Sequence, residues 1–184
     1  MGLFSRKKKE DPTMWIDKGI SLFELDKFDE AIACYDKALE IDPKNAAAHG
    51  NMGMSLDGLG KYPEAIDCFD RALEIVPNDG GLLSQKGGSL NRLGKYRESI
   101  ICYDKAIEFD PKIATSWSFK ADALVRLDKF DESIICFDKA LEIEPNDGKV
   151  WEYKADILFE LGKFEEAITC YDKALEIEPK DNVS

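Results

Sequence analysis

Small, apolar and charged positions recur along this chain in one fixed order, with a period of 34 residues. The last copy of the motif, Gly162 to Pro179, has near-copies at four earlier places, and no insertion or deletion disturbs their spacing. A period of this length is typical of a stacked-repeat architecture. Each copy closes with a proline: Pro43, Pro77, Pro111, Pro145 and Pro179. With this proline numbered 32, the repeats begin at Pro12, Ala46, Gly80, Ala114 and Gly148.

The pattern within each repeat predicts two antiparallel helices. Helix A covers about positions 1 to 14 and helix B about positions 18 to 31, with a short turn between them. Small residues at positions 8 and 20 let the two helices approach closely, and an aromatic residue at position 24 fills the space beside them. The turns contain residues that tolerate a left-handed conformation: Asp26, Gly60, Gly94, Asp128 and Gly162.

The predicted helix starts carry capping residues. Asp11 stands before Pro12, as an N-cap does before a proline at the first helical position. Corresponding caps follow each closing proline but one, namely Asn45, Asp79, Asp147 and Asp181. Repeat 4 has Ile113 at this place, so we expect its helix A to be capped by Thr115 and to start late. Pro63 falls at the start of a helix B, where it should cause no kink.

This pattern resembles the tetratricopeptide repeat over residues 12–179. Position 4, where the family favours tryptophan, is Trp15, His49, Leu83, Trp117 and Trp151, and position 27 is always alanine. Position 7 departs from the family's leucine and is lysine in four repeats. The resemblance implies an all-α fold, a right-handed α-solenoid of five helix-turn-helix repeats at 12–45, 46–79, 80–113, 114–147 and 148–181. Residues 1–11 would then be a basic tail, and residues 182–184 the C-terminal end.

The charge of the chain limits its partners. Its formal net charge is -12 and its sequence pI is about 4.6, so the surface repels nucleic-acid phosphates and we expect no nucleic-acid partner. Helix B is especially rich in charges, which we interpret as a solvated outer face. No apolar run is long enough to span a bilayer, and no secretory signal follows the N-terminal charges. We therefore expect a soluble, cytoplasmic protein.

The N-terminal tail has two interpretations. Leu3 and Phe4 precede a basic run from Arg6 to Lys9, which would suit a weak membrane-surface or partner-docking tag. The other interpretation is a disordered, solvated segment. We favour the second and expect no stable membrane contact.

The cysteines and the single histidine point to structural rather than chemical roles. Position 23 holds all five cysteines, Cys34, Cys68, Cys102, Cys136 and Cys170. Equivalent helices in adjacent repeats are too far apart for a disulfide or a shared metal site, so we expect free thiols in a reducing compartment. His49 replaces tryptophan at position 4 and should pack between helices. No phosphate loop, HExxH or CxxC motif occurs, and we expect neither catalysis nor a cofactor.

In the family, helix A lines a concave groove through positions 2, 5, 6, 9, 12 and 13. Amides in the middle of this groove would hydrogen-bond a peptide backbone, and exposed apolar residues at the two ends would anchor side chains. Ile16, Ile20 and Met54 form one such end, and Phe119, Tyr153 and Phe159 the other. The acidic residues of the groove favour a neutral to basic peptide. The candidate peptide-binding residues are Ile16, Ile20, Asn51, Met54, Gln85, Asn91, Phe119, Asp122, Tyr153 and Asp156.

These features favour a non-catalytic protein–protein interaction scaffold that binds a peptide segment of a partner protein. The carboxylate clamp of chaperone-binding members is absent, because only Asn51 matches it and Ile16, Ile20, Gly81 and Gln85 stand at its other places. The alternative is a self-assembling structural module that stacks through its terminal repeats. A third class, the substrate-recognition part of an enzyme, would require further domains.

The last repeat carries an apolar stripe with no following repeat to cover it. Ile168, Tyr171 and Leu175 have the i, i+3, i+7 spacing of one helical face. We expect weak self-association through this face, most simply as a two-fold dimer. The alternative is that the chain is a fragment of a longer array.

Overall fold

The computed structural model describes residues 11–177, and this part of the chain folds into ten α-helices with no strand. The tail of residues 1–10, the closing Pro179 and the predicted cap Asp181 lie outside the described residues. The helices are α1 (Pro12–Phe23), α2 (Phe28–Ile41), α3 (Ala46–Gly58), α4 (Tyr62–Ile75), α5 (Gly80–Arg92), α6 (Tyr96–Phe109), α7 (Ala114–Val125), α8 (Phe130–Ile143), α9 (Gly148–Glu160) and α10 (Phe164–Ile177).

The helices pair as the sequence predicts, one A and one B helix in each repeat. The A helices begin at position 1 as predicted and end at position 12 or 13, and the B helices run from position 17 to 30. The predicted end of helix A and both predicted bounds of helix B were therefore one or two residues too late. Contacts divide the described residues into two compact units, the first ending at Pro77 and the second beginning at Asn78. In the first unit α2 packs on α3, and in the second unit α6 packs on α7 and α8 on α9. The fold class is an all-α solenoid.

Side-chain caps begin four of the A helices. The Asp11 carboxylate accepts a hydrogen bond from the Thr13 backbone N–H at 3.0 Å. Asn45, Asp79 and Asp147 cap α3, α5 and α9 in the same way, which confirms the predicted caps. Pro63 is the second residue of α4, and that helix continues to Ile75 as predicted.

The late start predicted for α7 is wrong. This helix begins at Ala114 although its N-cap, Ile113, offers no side-chain hydrogen bond. The Ile113 carbonyl accepts instead from the Ser116 backbone N–H at 3.1 Å. Ala114 and Ser116 are both buried, and this packing compensates for a missing cap, which is worth about 1 kcal/mol.

Every turn between the two helices of a repeat contains one left-handed residue, as predicted. Gly60, Gly94 and Gly162 have φ of 73°, 79° and 73°, while Asp26 and Asp128 have φ of 56° and 58°. The backbone N–H of the next residue returns to helix A, as when Lys61 N–H donates to the Leu56 carbonyl at 2.9 Å. These turns fix where helix B begins, and therefore which side chains of helix A remain uncovered.

The core of each repeat consists of the position-24 ring against the small residue at position 8. A Cβ atom added to Gly19 would overlap the Tyr35 ring, and one added to Gly53 would lie 2.8 Å from the Phe69 ring. Tyr35 and Phe69 are only 1% and 0% exposed. This contact confirms the predicted role of the two positions in bringing the helices together.

Position 4 ties repeats 2, 4 and 5 to the repeat before each of them. The Trp117 indole N–H donates to the Pro111 carbonyl at 3.1 Å, and that of Trp151 to the Pro145 carbonyl at 2.9 Å. His49 Nε2 lies 3.1 Å from the Pro43 carbonyl oxygen, so the histidine takes the place of the indole. His49 is buried, as the sequence predicts for a packing residue.

The five cysteines are free. Four are buried and Cys68 is half-buried. Burial raises the pKa of the Cys68, Cys136 and Cys170 thiols above the ordinary value. None of the helices described between residues 11 and 177 is long and apolar enough to cross a membrane.

Candidate functional site

Eight of the ten candidate peptide-binding residues fall on two rows of helix A, positions 6 and 9, which are one turn apart on the same helix face. The other two, Ile16 and Asn91, stand at positions 5 and 12. Position 6 contributes Asn51, Gln85, Phe119 and Tyr153, and position 9 contributes Ile20, Met54, Asp122 and Asp156. We call these two rows the helix A surface. The two compact units each carry a part of it, and each part is described by itself.

The first unit presents Ile20, Asn51 and Met54 on α1 and α3. Ile20 is 36% exposed, and Asn51 and Met54 are half-buried. The Asn51 carboxamide has no hydrogen bond to any other described residue, so both its donor and its acceptor face are available to a ligand.

The expectation that Ile16 is exposed beside them is wrong. Its side chain is 8% exposed and belongs to a small core with Ala38 and Ala48, packed against Trp15 and Leu39. Position 5 of α1 faces helix B and the next repeat. An isoleucine there is buried because removing its apolar surface from water is favourable. Ile16 therefore stabilises the fold and is not available to anchor a peptide.

In the second unit, one hydrogen bond joins two of the candidate residues from neighbouring A helices. Asn91 Nδ2 of α5 donates to Asp122 Oδ2 of α7 at 2.7 Å. Arg126 Nε lies 3.7 Å from the other carboxylate oxygen of Asp122. This carboxylate is thus held in one orientation before any ligand arrives. Because the Asn91 amide donates to it, Asn91 positions Asp122 and is not free to bind a peptide backbone with that group.

Exposed aromatic side chains lie on the same helices. Phe119 is 46% exposed and Tyr153 is 58% exposed, and both stand at position 6. The Phe119 ring centroid lies 6.2 Å from that of Tyr103. The buried Tyr103 ring therefore packs against Phe119 and leaves much of the Phe119 ring exposed. Phe159, 57% exposed, packs edge-on against Phe164 at 5.2 Å. The predicted exposure of these three rings is confirmed.

Gln85 and Asp156 complete the second unit's part of the surface. Gln85 is exposed on α5, at the same position in its repeat as Phe119 and Tyr153. Asp156 Oδ1 accepts a hydrogen bond from the Tyr171 hydroxyl of α10 at 2.5 Å. This hydrogen bond raises the pKa of Tyr171 to about 12. Tyr171 therefore connects the helix A surface to the predicted self-association face.

The self-association face on α10 is exposed within the described residues. Ile168 is 59% and Leu175 is 48% exposed, whereas their counterparts in α8, Ile134 and Leu141, pack against the core. Tyr171 is half-buried, while the equivalent Phe137 is 2% exposed. The side chains that a neighbouring helix covers in α8 are thus uncovered in α10.

Two lysines form contacts between repeats that the sequence reasoning missed. Lys120 Nζ lies 2.6 Å from Asp104 Oδ1, and Lys154 Nζ lies 2.5 Å from Asp138 Oδ1. The lysines stand at position 7, where the chain departs from its family's leucine, and the aspartates at position 25. The recurrence of lysine at position 7 together with aspartate at position 25 is the sequence signal from which these contacts could have been predicted.

The described surface depressions lie away from these rows. One of about 590 Å³ is lined by residues of the turn between α8 and α9, including Glu144, Asn146 and Lys149. A second of about 260 Å³ lies at the turn between α5 and α6, against Leu127. Within each unit the candidate residues lie outside these depressions, which suits an extended peptide better than an enclosed small molecule.

Comparison of the sequence with protein families gives four matches. Models of the tetratricopeptide repeat match residues 10–78, 81–113, 114–147 and 148–181. A search of curated proteins finds no significant match to the chain.

Several solved structures have the same fold. A crystal structure of MamA superposes with a TM-score of 0.79 at 21% identity, covering 87% of this chain and 94% of that one. PilF of Pseudomonas aeruginosa gives 0.85 at 21% identity, over 92% and 78% of the two chains. YrrB, described as a TPR protein with an unusual peptide-binding site, gives 0.73 at 25% identity, over 95% and 90%. The likeness to MamA and PilF is one of fold alone.

Proposed function

Because the chain belongs to the tetratricopeptide repeat family, we propose that it is a non-catalytic interaction scaffold that binds a peptide segment of a partner protein on its helix A surface. The observation that carries this proposal is the pair of exposed rings at position 6, Phe119 and Tyr153, with the oriented carboxylate of Asp122 one helical turn after Phe119. Exposed aromatic anchors next to a fixed polar group are typical of a binding site. The likeness to YrrB, a peptide-binding protein of the same fold, supports the proposal.

The chemistry of the surface favours a neutral to basic peptide. Asp122 and Asp156 face the same side of α7 and α9 as the two rings, and the chain as a whole carries a net charge of -12. An apolar or aromatic side chain of the peptide would pack on Phe119 and Tyr153, while a lysine or arginine nearby would neutralise Asp122. Electrostatic attraction of this kind raises the association rate and selects against acidic partners.

The test is capture of partners by the full chain and by Phe119→Ala/Tyr153→Ala. Ile135→Ala serves as the matched control, because Ile135 is 61% exposed on a B helix, away from the helix A surface. We expect the double variant to lose specific proteins or peptides that wild type and control retain. An array of short peptides sorted by net charge gives a second readout, in which basic and neutral members should bind best. Equal binding by all three proteins would contradict the proposal.

No catalytic role is proposed. His49, the residue type most often used for proton transfer, is 7% exposed and lies against the Pro43 carbonyl. The carboxylates of the B helices recur regularly on the outer face. Together with the free thiols, these features support a non-catalytic binding protein of a reducing compartment.

A second candidate function is self-association through α10. The exposure of Ile168 and Leu175, whose counterparts in α8 are packed, favours it. Burial of such side chains stabilises a contact by about 1.5–3 kcal/mol each when complete. Sedimentation velocity at rising concentration should show reversible association of the wild type and not of Leu175→Glu. If wild type and Leu175→Glu are both monomeric at every concentration, this function is excluded.

A further inference from the structure

The junctions between repeats in the second unit share one construction. Position 7 of the later repeat carries a lysine whose ammonium pairs with the position-25 aspartate of the earlier one, as in Lys120 with Asp104 and Lys154 with Asp138. The lysine side chains are only 20% and 16% exposed, so these are sheltered ion pairs. Each ammonium also lies within about 6 Å of a tryptophan ring at position 4 of its own helix.

The first described repeat carries the lysine of this junction, and the last described repeat carries the aspartate. On α1, Lys18 Nζ lies 5.6 Å from the centroid of the Trp15 ring, the same local arrangement as in α7 and α9. Lys18 has no ion pair with another described residue. On α10, Asp172 is exposed at position 25, and it too lacks an ion pair within residues 11–177. One end therefore offers the lysine and the other end the aspartate.

The apolar contacts of the junction are divided in the same way. Position 3 is buried at the junctions of the second unit, as Val150 is at 5% exposure, but Met14 of α1 is 57% exposed. Position 28 is buried at Leu141, at 6% exposure, but Leu175 of α10 is 48% exposed. The outward face of α1 and the outward face of α10 thus have the same residue types as the two sides of a formed junction.

Charge distinguishes this pairing from a two-fold contact between two α10 helices. Helix α10 carries four carboxylates and a single lysine, whereas α1 carries one aspartate and one lysine. Two α10 faces brought together would place like charges against each other, which is unfavourable across an interface. A neutral α1 face with an exposed lysine avoids this repulsion.

We propose that α10 of one molecule docks on α1 of a second copy of the chain, head to tail, with an ion pair between Asp172 and Lys18. The contact reproduces the α8–α9 junction between two molecules. It is heterologous, so it leaves a free α1 and a free α10 at the ends of every open oligomer, and association continues with concentration beyond a dimer. The proposal rests on the second candidate function, self-association through α10, and specifies its partner surface.

Charge exchange in the full-length chain tests the pairing. The variants are Lys18→Asp, Asp172→Lys and the double variant with both changes, compared by sedimentation velocity over a concentration series. Each single variant places like charges at the junction, and we expect association to weaken about tenfold or more. The double variant restores the pair in reversed order and should recover association, as should an equimolar mixture of the two single variants. Lys105→Asp, an exposed reversal on α6, controls for net charge, and thermal unfolding followed by circular dichroism verifies that every variant is folded.

The outcomes separate this inference from the function on which it rests. A wild type that stays monomeric at the highest concentration overturns self-association itself. If wild type associates and Leu175→Glu abolishes the association while Lys18→Asp leaves it unchanged, the head-to-tail pairing is overturned and a two-fold contact of α10 remains. The pairing is also overturned if the double variant does not recover association. Loss in both single variants with recovery in the double variant supports it.

Discussion

The Tyr171 hydroxyl donates a 2.5 Å hydrogen bond to the Asp156 carboxylate, joining α10 to α9 in the last described repeat. Tyr171 stands at position 24, where the repeats otherwise bury their ring: Tyr35, Phe69, Tyr103 and Phe137 are at most 2% exposed. With a half-buried ring, Tyr171 relies on a polar contact as well as on packing. The bond also orients a carboxylate of the helix A surface, so the binding surface and the face of α10 are physically connected.

This bond predicts an unusual titration of Tyr171. The hydrogen bond to Asp156 raises the pKa of Tyr171 to about 12 in the folded protein. Since an unfolded tyrosine titrates near pH 10, the contribution of the bond to stability is fully present below about pH 10 and is lost as the pH rises toward 12. Ultraviolet absorbance of the phenolates should therefore show late-titrating tyrosines near pH 12, one of which moves toward pH 10 in Asp156→Asn.

Two further variants make this measurement specific. Tyr171→Phe should reduce the amplitude of the late transition by one tyrosine and lower the free energy of unfolding by about 1 kcal/mol or less, because the bond is partly solvated. Burial raises the pKa of Tyr35 to about 12 as well, and that transition should be unaffected by either change. A late transition that persists undiminished in Tyr171→Phe would contradict the assignment.

Two adjacent glycines of α5 should respond oppositely to the same substitution. A Cβ atom added to Gly87 would lie 2.7 Å from the Tyr103 ring, whereas one added to Gly88 meets only Arg92 Nη1 at 3.6 Å. Gly87→Ala should therefore destabilise the fold by about 1–3 kcal/mol through overpacking. Gly88→Ala should stabilise it by about 0.5–1 kcal/mol, because alanine is the better helix former.

Urea unfolding of the two variants beside wild type checks this pair. The cost at Gly87 should fall in the lower half of its range, because repeats 4 and 5 already have Ala121 and Ala155 at this position. Their rings evidently sit far enough away to accept a methyl group. Stabilisation by both substitutions would show that the Tyr103 ring shifts at little cost.

The repeat pattern was sufficient to predict the ten described helices, because turns, caps and small residues recur five times in phase. Single positions failed where packing outweighed a local rule. α7 starts at Ala114 without a capping side chain, since buried neighbours hold its first turn. Ile16 is buried although its position in the repeat favours the surface, since it fills a space beside Ala38 and Ala48. Capping residues and repeat positions do not predict which side chains from other helices pack against a residue.

The candidate site was predictable only as a set of positions. Alignment of the repeats places Phe119 and Tyr153 on one row, and their exposure agrees with that expectation. The hydrogen bond from Asn91 to Asp122 joins residues 31 apart, and the sequence gives no sign that one orients the other. The pairing of Lys120 with Asp104 likewise depends on how far apart two helices stand, which their spacing in the chain does not fix.

The thiols should remain reduced through aerobic purification. We expect five free thiols per chain in a titration with a chromogenic disulfide under denaturing conditions, since all five are free and four are buried in the fold. In the native protein Cys68, the half-buried one, should react first, although burial raises the pKa of its thiol and slows it relative to a free cysteine. Cys68→Ser should remove the fastest phase of this reaction. Finding clearly fewer than five thiols in the denatured wild type would refute the prediction.

One amide from each compact unit should contribute to partner binding without contributing to stability. Asn51 of α3 has no hydrogen bond to another described residue, and Gln85 of α5 is exposed. Asn51→Ala/Gln85→Ala should therefore change the free energy of unfolding by no more than about 0.5 kcal/mol, as surface polar truncations usually do.

The same double variant should bind the captured partner several-fold more weakly, because amides at position 6 of the A helices can hydrogen-bond a peptide backbone. Asn146→Ala, an exposed amide in the turn before α9, is the matched control and should bind like wild type. Measuring unfolding and binding on the same preparations separates loss of a contact from loss of structure. Weaker binding accompanied by an equal loss of stability would show that the two amides support the fold, and unchanged binding would place the partner elsewhere on the molecule.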